Sequence, residues 1–179
     1  ATNLGVKNLT SKVNSSDSKS VTQTFDANNN LTCRKDEAGR VTTYTFNSTN
    51  QRTGMTEGFT GNCTTPVSNP GVTRIISYQY LSPTLDLPTV ISSPSVASGQ
   101  SKTTTIQYTD ANHPNLPTVI TQAGFIPSGA SVSRSIGLSY NTAGQISSID
   151  GPRTDVNDIT TMQYNSCTTG YGCGQLSQV

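Results

Sequence analysis

One strand-length segment ending in an aromatic ring recurs six times in this chain, over residues 20–25, 40–46, 74–80, 102–108, 134–140 and 158–164. A chain organised this way must fold as copies of one small unit, each covering its neighbours. The terminal rings are Phe25, Phe46, Tyr80, Tyr108, Tyr140 and Tyr164. Counting back by two puts Thr42, Tyr44 and Phe46 on one face, and likewise Ile76, Tyr78 and Tyr80. Thr104, Ile106 and Tyr108 follow the same rule, as do Ile136, Leu138 and Tyr140, and Thr160, Met162 and Tyr164. The alternate positions are mostly Thr, Ser and Gln, which is the period of a strand with one buried and one wet face.

After each ring comes a turn and a second strand, predicted over residues 30–34, 51–56, 87–92, 116–121, 144–149 and 174–179. The fourth of these repeats the third almost letter for letter, Leu116-Pro117-Thr118-Val119-Ile120-Thr121 against Leu87-Pro88-Thr89-Val90-Ile91-Ser92. The turns, such as Asp26-Ala27-Asn28-Asn29 and Asn141-Thr142-Ala143-Gly144, carry Asx and Gly residues that accept a left-handed backbone and bond their own amides. Each unit is therefore a β-hairpin. The expected fold is all-β, repeated antiparallel β-hairpins forming an open, twisted strip. As domains, this is a single array over 1–179, with a partial hairpin at 1–19 and units at about 20–39, 40–72, 73–101, 102–132, 133–157 and 158–179. The Gly- and Pro-rich segments 58–72 and 124–132 read as surface loops between units. Pro88 and Pro117 lack an amide proton and must lie where no ladder bond is needed.

Charge and composition narrow the function. Eleven basic and ten acidic residues leave a net charge of +1, which gives no field for nucleic acid or an anionic membrane surface. No apolar run is long enough to insert into a bilayer as a helix. With 31% hydrophobic residues and no Trp, a deep core is not available, so covalent ties gain importance. The four cysteines, Cys33, Cys63, Cys167 and Cys173, lack zinc-site spacing and read as disulfides. Cys167 and Cys173 bracket a turn within one hairpin, and Cys33 with Cys63 is what that bridge leaves, one of three connectivities. Disulfides place the chain outside the cytosol, extracellular or at a cell surface.

No catalytic, cofactor-binding or metal site is predicted. Asp26-x-Asn28-x-Asn30 alternates oxygen ligands as a calcium loop does, but the Gly of its sixth position is missing, and turn capping explains the residues. His113, the single histidine, reads as a solvated turn residue. The sequons at Asn8, Asn14, Asn30, Asn47 and Asn62 matter only in a glycosylating host. The rings of Phe25, Tyr44, Phe46, Tyr78, Tyr80, Tyr108, Tyr140 and Tyr164 read as the core of the repeat, with a sugar-stacking ladder as the competing role.

The stretch Phe25-Asp26-Ala27-Asn28-Asn29-Asn30-Leu31-Thr32, followed by Asp36-Glu37-Ala38-Gly39-Arg40-Val41-Thr42-Thr43-Tyr44-Thr45-Phe46, resembles the YD repeat of the bacterial Rhs (rearrangement hotspot) family. Residues 149–155 and 159–164 are similar to Rhs-type wall-associated proteins. The pattern departs where Asn47, Asn141 and Asn165 replace the acidic residue after the ring, and where Leu81 and Thr109 lose it. The resemblance implies a strip of hairpins that, in large Rhs and toxin-complex proteins, winds into a shell around a toxin cargo. It implies a non-enzymatic structural segment whose partners are flanking repeats or other copies of itself, with cargo or a glycan as further partners. A self-assembling extracellular fibre or sheath subunit and a carbohydrate-binding surface module are the alternatives.

Overall fold

The computed structural model describes residues 9–13, 16, 19–69, 71–167 and 172–179. Among them there is no helix. The strands are β1 (Ser11–Val13), β2 (Ser20–Phe25), β3 (Leu31–Lys35), β4 (Val41–Phe46), β5 (Arg52–Gly61), β6 (Pro66–Val67), β7 (Arg74–Ser82) and β8 (Leu85–Pro94). They continue with β9 (Ser101–Gln107), β10 (Val119–Phe125), β11 (Ser131–Tyr140), β12 (Ile146–Asp150), β13 (Ile159–Thr161), β14 (Gln163–Tyr164) and β15 (Leu176–Gln178). Thirteen strands form one open antiparallel sheet taken in sequence order, with β6 attached to β5; β14 and β15 pair separately. By packing, the chain divides into residues 1–86 with 91–94, and residues 87–90 with 95–179.

In the first unit each strand from β1 to β5 pairs with its successor, and β5 pairs with β7. In the second unit β9 to β13 do the same. Four elements differ from the sequence expectation. Residues 58–72 are not simply a loop, because β5 runs on to Gly61 and β6 folds back on Thr60 and Gly61. Gly58, at φ 82°, lets the strand bulge past Val41 and continue, a conformation a side chain would resist. Residues 124–132 shrink to a five-residue turn in which Ile126 and Ala130 share a backbone bond, while β10 and β11 pair as far as Phe125 and Ser131. Polar alternating residues hydrogen-bond as strands as readily as apolar ones, and loop-like composition concealed this.

The third difference is at the end of the chain. Residues 158–164 break at Met162, whose amide bonds to Ser147, so β13 stays on β12 while β14 turns away to β15. In the duplicated segment, β10 begins at Val119, not at 116, and Thr118 makes its ladder bonds to Gln107 and Leu138 as an irregular step. Pro117 therefore sits just before the strand, free of any demand for an amide.

The apolar face is half-covered, not buried. Cys33, Val41 and Ala97 are the buried hydrophobic residues among those described, and every ring of the repeat is half-buried. One sheet layer can cover its rings only with neighbouring side chains, so cross-strand pairs replace a deep core as the unit of stabilisation.

Candidate functional site

What recurs from hairpin to hairpin is a polar closure at the turn. Asp26, Asp36, Asn47 and Asn141 each accept two backbone amides on Oδ1, from the residues two and four places on, at 2.8–3.0 Å. The residue three places on, Asn29, Gly39, Asn50 or Gly144, has φ between 65° and 80°. Its amide bonds back to the Asx carbonyl. Asn and Gly tolerate this left-handed backbone, which is why those residue types stand there.

The remaining atom of each Asx side chain selects its partner four residues later. Asp26 Oδ2 accepts from Asn30 Nδ2 at 2.9 Å, and Asp36 Oδ2 from Arg40 Nε at 2.9 Å. Asn47 and Asn141 instead donate from Nδ2 to Gln51 and Gln145 at 2.7 and 2.9 Å. An acid therefore pairs with a donor and an amide with an acceptor. This is the physical content of the Asp-to-Asn departures from the YD pattern. The bond to Asn30 holds the Asp26 carboxyl below its ordinary value. At Asp36 burial pushes upward, but the amide and guanidinium of Arg40 outweigh it and the net direction is down.

From these turns, side chains reach to the next one. Asn30 Nδ2 donates to Asn50 Oδ1 at 2.8 Å. Gln51, only 7% exposed, donates from Nε2 to the carbonyls of Ser82 and Leu85 at 3.0 and 2.7 Å, so its buried amide is satisfied. Gln145 donates in the same way to the Gly174 carbonyl at 2.7 Å. Leu116, which the duplicated segment places in the register of Gln51 and Gln145, lies beside Gly144. The strap is an amide in some repeats and an aliphatic contact in another.

From Tyr80 onward the terminal ring of each repeat bonds back to a carbonyl of the preceding hairpin. Tyr80 donates its hydroxyl to the Arg52 carbonyl at 2.8 Å, Tyr108 to Pro88 at 3.1 Å, Tyr140 to Pro117 at 2.7 Å and Tyr164 to Ile146 at 2.8 Å. Pro88 and Pro117 are the same position of the duplicated hexapeptide. Burial raises the phenols of Tyr80, Tyr108 and Tyr140 above their ordinary value. The residue after each acceptor is Thr53, Thr89, Thr118 or Ser147. In four hairpins the register slips by one residue here, leaving Thr32, Thr53, Ser147 and Ser177 as the extra residue of a β-bulge. The sequence carried this signal as Asn/Gln-x-Ser/Thr after the Asp26, Asn47 and Asn141 turns; read as glycosylation sequons, Asn30-x-Thr32 concealed a turn followed by a bulge.

Arg52 lies between two of the predicted rings, its guanidinium 4.7 Å from the Tyr78 ring and 6.0 Å from that of Tyr44. It donates to the Tyr78 hydroxyl at 3.3 Å. Tyr44, Phe46 and Arg52 line a shallow groove of about 400 Å³, and Phe46 carries no hydroxyl. Phe25, at the end of β2, is half-buried opposite Leu31. His113 is not a solvated turn residue: its side chain is 16% exposed, 2.9 Å from Asp110 and tilted against Tyr140 at a 6.0 Å centroid distance. Its longer turn, closing on Thr118, needed a filler that the five-residue turns do not.

Disulfides join Cys33 to Cys63 and Cys167 to Cys173, with Cα atoms 5.6 and 4.4 Å apart. Cys63 stands in the turn between β5 and β6, which Asn62 Oδ1 holds by accepting the amides of Thr64 and Thr65. Cys33 is buried in the middle of β3. Among the described residues no three His, Cys, Asp or Glu side chains gather as a metal would require.

Residues 25–62 match the RHS Repeat family model, spanning the first two ring turns, the Asp36 turn and β5. The resemblance to the YD/Rhs repeat is borne out there. No curated protein matches the chain. Among solved structures it is similar to the crystal structure of TcdB2-TccC3-Cdc42, at 13% identity over 89% of this chain and 10% of that one, with a TM-score of 0.30. The crystal structure of TcdB2-TccC3 gives 14% identity, 82% and 10% coverage, and a TM-score of 0.28. The chain spans about a tenth of the length of those chains.

Proposed function

We propose that this chain is a non-enzymatic structural segment, an extracellular YD-repeat β-sheet that forms part of a rigid wall or shell continued by flanking repeats. The observation that carries this reading is the set of straps from Asn30, Gln51 and Gln145, which tie one hairpin to the next without a deep core. A device of this kind propagates: each unit contacts its neighbours, and stiffness accumulates with copy number. The eight rings serve as the half-covered core of the repeat. Four tyrosine hydroxyls donate inward to backbone carbonyls. That use favours packing over sugar stacking.

The RHS repeat at 25–62 supports a structural role, and the two disulfides suit an oxidising compartment. Cargo, if enclosed, would meet one face of such a wall. The test is size-exclusion light scattering of the non-reduced chain followed by negative-stain electron microscopy. A dispersed species at the 18.9 kDa chain mass is the expected result. Regular filaments or sheets would replace this reading with that of a self-assembling fibre or sheath, its exposed edge strands pairing between copies.

A further inference from the structure

In the second unit the ring face extends beyond the rings into an open groove of about 550 Å³, where β9, β10 and β11 end beneath two turns. The register sets its floor. Thr103 pairs with Ala123, and Val132 with Gly124, so Lys102, Gly124 and Val132 share one rung across three strands. Gly124 has no side chain to fill the space, and the Lys102 stem is what a Cβ there would meet. Arg134 lies two residues inward on the same face, opposite Gln122. The walls are aliphatic and wet: Val96 is 74% exposed, Ile126 42% and Val132 49%.

Three exposed aliphatic side chains stand around one depression, and a partner seated there would take their apolar surface out of water. Two cations flank it. Among the described residues the side chains of Lys102 and Arg134 make no ion pair or hydrogen bond, and no carboxylate lines the groove. This is an apolar floor between unpaired positive groups.

We propose that this groove docks an extended segment of a partner protein whose aliphatic side chains face the floor and whose flanking residues are Asp or Glu. Charge complementarity selects the acidic segment: it would pair both cations, while a basic one would add like charges. The cations stand two strands and two residues apart, roughly 12 Å at a strand spacing of about 4.8 Å and a rise of about 3.3 Å. At about 3.3 Å per residue, that distance is spanned by three or four residues of extended chain. The inference stands apart from the wall reading, because it needs only this end of the second unit.

The test is amide chemical-shift mapping of the intact, non-reduced chain with the peptide acetyl-Asp-Val-Ala-Ile-Asp-amide. Saturable shifts confined to the groove residues are expected. The double variant Lys102→Gln/Arg134→Gln should keep the remaining spectrum and bind at least about tenfold more weakly. Replacing both Asp of the peptide by Lys, or Val and Ile by Ser, should abolish the shifts. The proposal is overturned by an absence of shifts at millimolar peptide, or by equal binding of the Lys-substituted peptide. Broadening of the groove resonances with protein concentration alone, together with a dimer mass by light scattering, would overturn it in favour of a second copy as occupant.

Discussion

At the scale of the residue, one hydroxyl distinguishes Phe46 from the terminal rings that follow it. Arg52 and Ile146 accept from Tyr80 and Tyr164 at the step opposite the preceding ring, and Leu31 holds that step opposite Phe25. Phe46→Tyr should therefore bond the Leu31 carbonyl and raise stability by about 0.5–1 kcal/mol in urea unfolding. Tyr140→Phe should lose a similar amount, since Pro117 keeps a carbonyl without its donor. Either variant behaving as neutral would separate the ring's packing from its hydroxyl. Titration belongs to this scale too. The carboxyls of Asp26, Asp110 and Asp36 are lowered in the fold, at Asp26 by Asn30 and at Asp110 by the bond to His113. A lowered acid contributes stability that is present above its unfolded value near 4 and lost as pH falls through the folded value. The raised phenols of Tyr80, Tyr108 and Tyr140 contribute below about 10 and lose that contribution as pH rises further. Melting temperature should fall as pH drops through the acid limit and as it rises past the phenol limit, and a melting temperature unchanged at both ends would contradict these assignments.

At the scale of the element, the strap and the disulfide are the joints between hairpins. Gln51→Leu imitates the aliphatic strap of Leu116 in shape but leaves Asn47 Nδ2 and the Ser82 and Leu85 carbonyls without their partner. A loss of roughly 1–3 kcal/mol is expected in equilibrium unfolding, the cost of stranded half-buried polar groups. The two disulfides should differ in weight. Cys33–Cys63 closes a separation of 30 residues and Cys167–Cys173 one of 6, which the chain-entropy relation converts to roughly 3–4 and about 2 kcal/mol. Replacing the first pair by Ser should lower the melting temperature more than replacing the second, and the reverse order would mean that strand pairing already holds Cys63 beside β3.

At the scale of the whole molecule, strands that pair with their sequence neighbours make stability a chain of local terms. Removing residues 163–179, whose β14 and β15 pair only with each other, should leave the amide spectrum of residues 20–61 unchanged. Loss of that spectrum would show cooperativity that the pairing does not contain. The repeat was legible in the sequence because ring spacing and a period of two are local properties, and so the hairpins, their order and the Asx turns follow from it directly. Whether a Gly-rich segment pairs was not legible: residues 59–61 and 124–125 are strand because a partner edge was there to bond them. The sequence determined which residues share a face and which turns close. Only the tertiary structure decided how fully that face is covered, where Thr32, Thr53, Ser147 and Ser177 slip the register, and which carbonyls the tyrosines and glutamines reach. Those bonds join residues 18 to 34 positions apart, and a pattern read along the chain has no measure of what faces what across a strand.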